Sequence, residues 1–186
     1  MPEKINYKHG PQEKLGILLV NLGSPDAPAT SAVRRYLAQF LADPRVVETN
    51  RLLWWLVLHG VILRIRPSRS AKAYKKVWTE DGSPLIHFTR LQTQAIQKKL
   101  EERFRGHVIA DMAMTYGNPS IKNGLEGLRK AGARRLLILP LYPQYSGTTT
   151  AAVVVPEYCG YKGKISSRRA PALRRPSRPF FIDGLP

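Results

Sequence analysis

Hydrophobic positions along this chain fall into two kinds of pattern. Short continuous apolar runs appear at Leu15–Leu22, Val108–Tyr116 and Leu136–Leu141. Each is bounded by turn residues, the mark of a strand buried on both faces. Between them lie stretches with helical spacing. Val33, Tyr36, Leu37, Phe40 and Leu41 predict a helix over 32–41, capped by Thr30 or Ser31 and stopped at Asp43-Pro44. Arg51–Ile65 reads as a helix that is apolar nearly all round, and Ser70–Trp78 as a separate basic one. Leu85–Phe104 predicts a long amphipathic helix, and Ile121–Lys130 a shorter one stopped near Gly132. Asp81-Gly82-Ser83-Pro84 is a turn.

Strands alternating with helices imply right-handed βαβ crossovers and a parallel sheet covered on both faces. The loops Gly23-Ser24-Pro25, Gly117-Asn118-Pro119 and Gly147-Thr148-Thr149 each follow a strand, so they gather at its carboxyl edge, where open α/β sheets bind ligands. Their chemistry is small and neutral. None is a dinucleotide fingerprint or a phosphate loop. Leu139–Thr150, reading LPLYPQYSGTTT, offers aromatic faces and hydroxyls with few charges. That suits a large, flat, mostly apolar ligand better than a phosphate.

Adjacent Trp54 and Trp55 cannot both enter one core from a single helix, since neighbours lie about 100° apart. Base rates for so apolar a stretch favour a buried helix, but the Trp pair tilts Leu52–Leu58 towards a partly exposed apolar lip, and Arg64, Arg66, Arg69 and Lys72 follow it at once. Such a lip suits a peripheral membrane contact or an acidic amphiphile. It is far too short to span a bilayer.

Composition narrows the class. The 186 residues hold 30 Lys and Arg against 13 Asp and Glu, a net charge of +17 that favours anionic partners. A single Cys159 excludes an internal disulfide framework. No leader-like segment opens the chain, so the expected location is cytoplasmic. His9, His59, His87 and His107 lack metal-ligand spacing, and Asp111, inside a strand, could be a buried acid but is expected to face the edge or pair with an N–H group. By these residues alone there is a binding wall and no catalytic base.

The motifs resemble ferrochelatase, the enzyme that inserts Fe²⁺ into protoporphyrin IX, in its proteobacterial form. They are GILLVNLGSPDAP at 16–28, RYLAQFLADPRVV at 35–47, RLLWW at 51–55, AYKKVWTEDGSPL at 73–85, TYGNPS at 115–120 and LPLYPQYS at 139–146. The resemblance implies an α/β, Rossmann-like three-layer parallel sheet of chelatase type over 15–153. This is the first of two family domains, and it is incomplete. It also implies porphyrin contacts at Leu22, Arg66, Tyr74, Ser83, Thr115 and Tyr116, with Fe²⁺ and protoporphyrin IX as substrates and no permanently bound cofactor.

The chain departs from the family in three ways. The family's catalytic His and metal-side Glu have no matching motif here, so no catalytic and no metal residues are assigned and the chain alone is expected to be inactive. Gly147 stands where some members place a cluster cysteine, so no iron–sulfur cluster is expected. Residues 1–14 and the Pro-, Arg- and Ser-rich tail 154–186 are expected to be disordered, leaving the third strand's outer edge unpaired. From Pro156 onward the tail holds seven Lys and Arg against two acidic residues. Two other readings remain: a non-catalytic porphyrin or haem binder, and a polyanion binder acting through the tail. No nucleic-acid motif supports the second.

Overall fold

The computed structural model describes residues 14–142, 165–166 and 180–183. In chain order these form β1 (Lys14–Asn21), α1 (Thr30–Ala42), α2 (Arg51–Val57), a π-helical turn (Leu58–Ile62), α3 (Leu63–Val77), α4 (Pro84–Phe104), β2 (Val108–Met114), α5 (Ile121–Lys130), β3 (Ala133–Pro140), β4 (Ile165–Ser166) and β5 (Phe180–Asp183). The sheet order is β2-β1-β3-β5-β4. β1 runs parallel to both β2 and β3, as the alternation of strands and helices requires.

Strand alternation divides the core. Leu18 and Val20 of β1 face α5, packing with Ala113, Leu128, Leu136 and Ile138. Ile17 and Leu19 point the other way, against Val108 and the Ile96 and Leu100 side of α4. A third cluster joins α1, the π-turn and α3 around Val33, Leu37, Leu58, Leu63 and Tyr116. α5 approaches the sheet closely at Gly124, where a Cβ would lie 2.8 Å from Leu18 Cδ1.

The segment from Arg51 to Val77 corrects the expected helix boundaries. Instead of a helix to Ile65 and a separate one from Ser70, helical structure continues through Pro67 and is interrupted earlier, by the π-turn. The extra residue in that turn re-phases the buried side. Leu58 and Leu63, five apart, are both buried, and Pro67 and Ala71 follow at four-residue steps. Pro67 has no N–H for the carbonyl of Leu63. Arg34 Nε supplies the missing donor to that oxygen at 3.0 Å, so the helix passes the proline without leaving Leu63 O unpaired. Another correction falls on α1. Ala29, not Thr30 or Ser31, holds its N-cap position, and no side chain caps it.

The outer edge of β3 is not bare. Arg135–Ile138 pair antiparallel with Asp183–Phe180, and β5 in turn pairs with β4 through Ile165 and Ser166. The expected disorder of the tail is therefore corrected at these six positions. Phe180, Phe181 and Ile182 are an apolar, β-prone run within an Arg- and Pro-rich stretch, and strand backbone at a sheet edge needs partners for its N–H and C=O groups. The remainder of the tail and residues 1–13 lie outside the described residues. Among the described residues, no helix is long and apolar enough to cross a membrane.

Candidate functional site at the strand carboxyl ends

β1 and β2 leave the sheet through two interlocked loops. Tyr116 N donates to Leu22 O, and Thr115 N to Asn21 O, both at 2.9 Å. Gly23 (φ +109) lies so close to the second loop that a Cβ on it would be 1.7 Å from Tyr116 O, and a Cβ on Gly117 (φ +85) would be 2.7 Å from Ser24 O. Only glycine fits either place. Side chains complete the clasp: Gly117 N donates to Gln39 Oε1, and Asn118 Nδ2 to Asp26 Oδ1, both at 2.9 Å.

Above this clasp lies a belt of hydroxyls. Thr115 Oγ1 is 2.6 Å from the hydroxyl of Tyr142, where β3 exits. Tyr36, from α1, donates to Gly23 O at 3.2 Å. Burial pushes the Tyr142 phenol up to about 12, against an opposing hydrogen bond from Thr115. Tyr36 is raised further, first by burial and then by its neighbours Tyr74 and Tyr142. Burial also raises Tyr74. These phenols stay protonated across the physiological range. They can donate and accept hydrogen bonds at a ligand's edge, but they cannot act as bases there. Asn21 Nδ2 donates to Thr89 Oγ1 at 3.1 Å, tying the first turns of α4 to the same end of β1. Ser24 Oγ is buried with no hydrogen-bond partner, one residue from the Gly23 carbonyl that Tyr36 holds.

The six residues assigned to the porphyrin divide among distinct places. Leu22 is half-buried and packs against both the α5-side and α1-side clusters. Thr115 is buried beside it and bonded to Tyr142. Tyr74 is half-buried on α3, edge-on to Trp78. Arg66 is exposed two turns earlier, about 12 Å along the helix axis. Ser83 is buried at the N-cap position of α4, where its side chain makes no capping bond. Tyr116 has turned away from the belt. It is 1% exposed, stands edge-on to Phe40, and donates to Asp43 Oδ2 at 2.9 Å. The structure therefore groups Leu22, Thr115 and Tyr74 around the belt and uses Tyr116 to anchor the loop beneath it.

Sequence reasoning missed Tyr36, Asn21 and Thr89. Tyr36 has the period of an ordinary core residue, and only its hydroxyl distinguishes it. Asp111 behaves as expected, accepting from Met112 N at 2.8 Å. Tyr145, Ser146, Gly147 and Thr148–Thr150 lie outside the described residues.

The lip is visible on α2, the turn after it and the first turn of α3. Leu52 is 73% and Trp55 56% exposed, and Leu53, Leu56, Val61 and Ile65 are exposed with them. Trp54 turns inward and donates Nε1 to Leu41 O at 2.7 Å. Arg64, Arg66, Arg69 and Lys72 border this apolar surface, all exposed.

A parallel sheet between helical layers, with loops and hydroxyls gathered at its carboxyl edge, defines a chelatase-type, Rossmann-like half. The family model for ferrochelatase matches residues 14–168, and the chain belongs to the ferrochelatase family. The chain is 58% identical over 147 residues to a ferrochelatase of Marinobacter nauticus, covering 79% of this chain and 40% of that protein. It is 58% identical over 144 residues to a ferrochelatase of Thioalkalivibrio sulfidiphilus, covering 77% and 39%. A coproporphyrin III ferrochelatase of Symbiobacterium thermophilum is 57% identical over 141 residues, covering 76% and 43%. The chain thus spans about two-fifths of the length of these relatives.

Proposed function

We propose that this chain forms one wall of a tetrapyrrole cleft for insertion of Fe²⁺ into protoporphyrin IX, the last step of haem formation. The observation that carries the reading is the neutral hydroxyl belt of Thr115, Tyr142, Tyr36 and Tyr74 beside Leu22, at the carboxyl ends of a parallel sheet. A macrocycle needs an apolar face to rest on and polar groups at its rim. Leu22 supplies the first and the hydroxyls the second, while the exposed Arg66 offers a bidentate partner to a propionate. Ser83, with no capping bond of its own, is a further donor toward a propionate, and Tyr116 holds the loop that presents Thr115.

Inserting Fe²⁺ releases the two pyrrole N–H protons, so the reaction needs an acceptor. The tyrosines of this wall are held protonated and do not supply one. We therefore propose that the chain by itself grips the ring without metallating it, with Fe²⁺ as a substrate and no resident cofactor. The apolar lip and its basic border are assigned to peripheral contact with an anionic bilayer, from which an apolar porphyrin would enter.

The test is protoporphyrin fluorescence with the purified chain, anaerobically, with and without Fe²⁺, and with coproporphyrin in parallel. Saturable binding that weakens about tenfold in Arg66→Ala is expected, the size of one charge-assisted contact. Absence of binding would overturn the wall. Iron-dependent conversion to haem above a no-protein control would overturn the inactivity.

A further inference from the structure

The two sides of the three-stranded parallel core are finished differently. On β2, amides alternate between β1 and the outer edge. Thr115 N, just past the strand, still bonds across to Asn21 O. The outward amides of Ala110, Met112 and Met114 are each taken within the chain. Gln97 Oε1 accepts from Ala110 at 2.6 Å, Asp111 Oδ1 from Met112 at 2.8 Å, and Pro119 O from Met114 at 2.7 Å. Three successive donors are thus withdrawn from any incoming strand, a recognised way of making an edge non-adhesive.

β3 has the character of a central strand. Leu136, Leu137, Ile138 and Leu139 are apolar in succession, and Leu136 and Ile138 are buried. Such a strand left at an edge is a template for pairing with another copy. Its far side is covered by backbone, through the antiparallel register Arg135↔Asp183, Leu136↔Ile182, Leu137↔Phe181 and Ile138↔Phe180. β5 runs against the direction shared by β1, β2 and β3, so it is an added strand and not a continuation of the βαβ winding.

We infer that Phe180–Asp183 acts as a built-in edge plug, occupying the strand-accepting outer edge of β3, and that a second copy of the chain pairs there when the plug is withdrawn. The β2 edge takes no part in that association. Beyond β5 the pairing is only the two residues of β4, which leaves little strand for another chain to extend.

Amide hydrogen exchange on the full chain tests the plug directly. Amides within 180–183 that face β3 should exchange at least tenfold more slowly than unstructured references. Exchange of all four at unstructured rates would overturn the inference. Sedimentation velocity then tests the association. The full chain should sediment independently of concentration, whereas a chain lacking 180–186 should associate as concentration rises. A synthetic peptide spanning 178–186, added in excess, should reverse this.

Phe181→Pro and Ile182→Pro provide a milder version. Adjacent amides face opposite sides, so only one of the two variants loses a bond to β3, and that one should associate more. Equal sedimentation of full chain, deletion and both variants would overturn the inference. So would association of the deletion that the peptide does not reverse but Gln97→Ala increases, since that would place the sticky edge on β2.

Discussion

Arg34 Nε donates to the carbonyl of Leu63, the acceptor that Pro67 would have used had it carried an N–H. One side chain from α1 thus permits a helix to run through a proline on α3. The expected result is a non-additive pair. Arg34→Ala should cost about 1–2 kcal/mol, mostly by leaving a partly buried carbonyl unpaired. In a Pro67→Ala background the amide returns and that cost should fall to about half or less. Urea denaturation of the two single variants and the double variant measures the coupling. Additive costs would mean that Arg34 acts elsewhere.

This helix also shows where sequence reading succeeded and where it stopped. The three buried strands and the amphipathic α4 and α5 were legible because apolar period and length depend on local sequence. That the Trp pair must divide was legible too, but not which of the two turns inward: it is Trp54, with Trp55 exposed. The run through Pro67 was not legible, because its compensating donor lies 29 residues away in sequence. Within the site, Leu22, Tyr74 and Thr115 came from the family resemblance. Tyr36 and Asn21 did not stand out, since their roles depend on the juxtaposition of α1, α4 and the strand ends. The antiparallel β5 was hidden inside a stretch whose composition argues for disorder.

Gly23 should be the least replaceable glycine among the described residues. Two positions separate the effects of backbone conformation and space. Gly82 has φ +93 with nothing within 4 Å of a built Cβ, so Gly82→Ala should cost only the left-handed strain of about 1–2 kcal/mol. Gly23→Ala adds a collision with Tyr116 O and should cost upwards of about 3 kcal/mol or prevent folding. It should also weaken porphyrin binding, because displacing Tyr116 moves Thr115. Similar melting temperatures for the two variants would contradict the interlock.

Membrane contact makes a separate prediction. Leu53→Ser together with Trp55→Ser removes exposed apolar area while leaving the inward Trp54 in place. The pair should leave the melting temperature nearly unchanged and lower binding to anionic phosphatidylglycerol vesicles at least tenfold. Raising salt should weaken the original chain's binding, because Arg64, Arg66, Arg69 and Lys72 border the lip. Equal flotation of variant and original chain with the vesicles would remove the lip from that role.

The hydroxyl belt predicts a high-pH instability. Folding raises the Tyr142 pKa from an unfolded value near 10 to about 12, so the folded state holds its proton more tightly than the unfolded state. The linkage sign follows. Between these values the unfolded chain binds fewer protons, and stability falls as pH rises. The contribution is complete below pH ~10 and is lost progressively as pH climbs through about 12. Tyr36 and Tyr74 shift in the same direction and add to the fall. Absorbance at the phenolate band should show their titration delayed relative to the denatured chain. In Tyr142→Phe the loss of stability over this pH window should be shallower, even though the variant starts less stable by the Thr115 hydrogen bond, about 1 kcal/mol. A parallel pH profile in the variant would mean that the fall comes from lysines and the other tyrosines, and that Tyr142 is not held neutral by the fold.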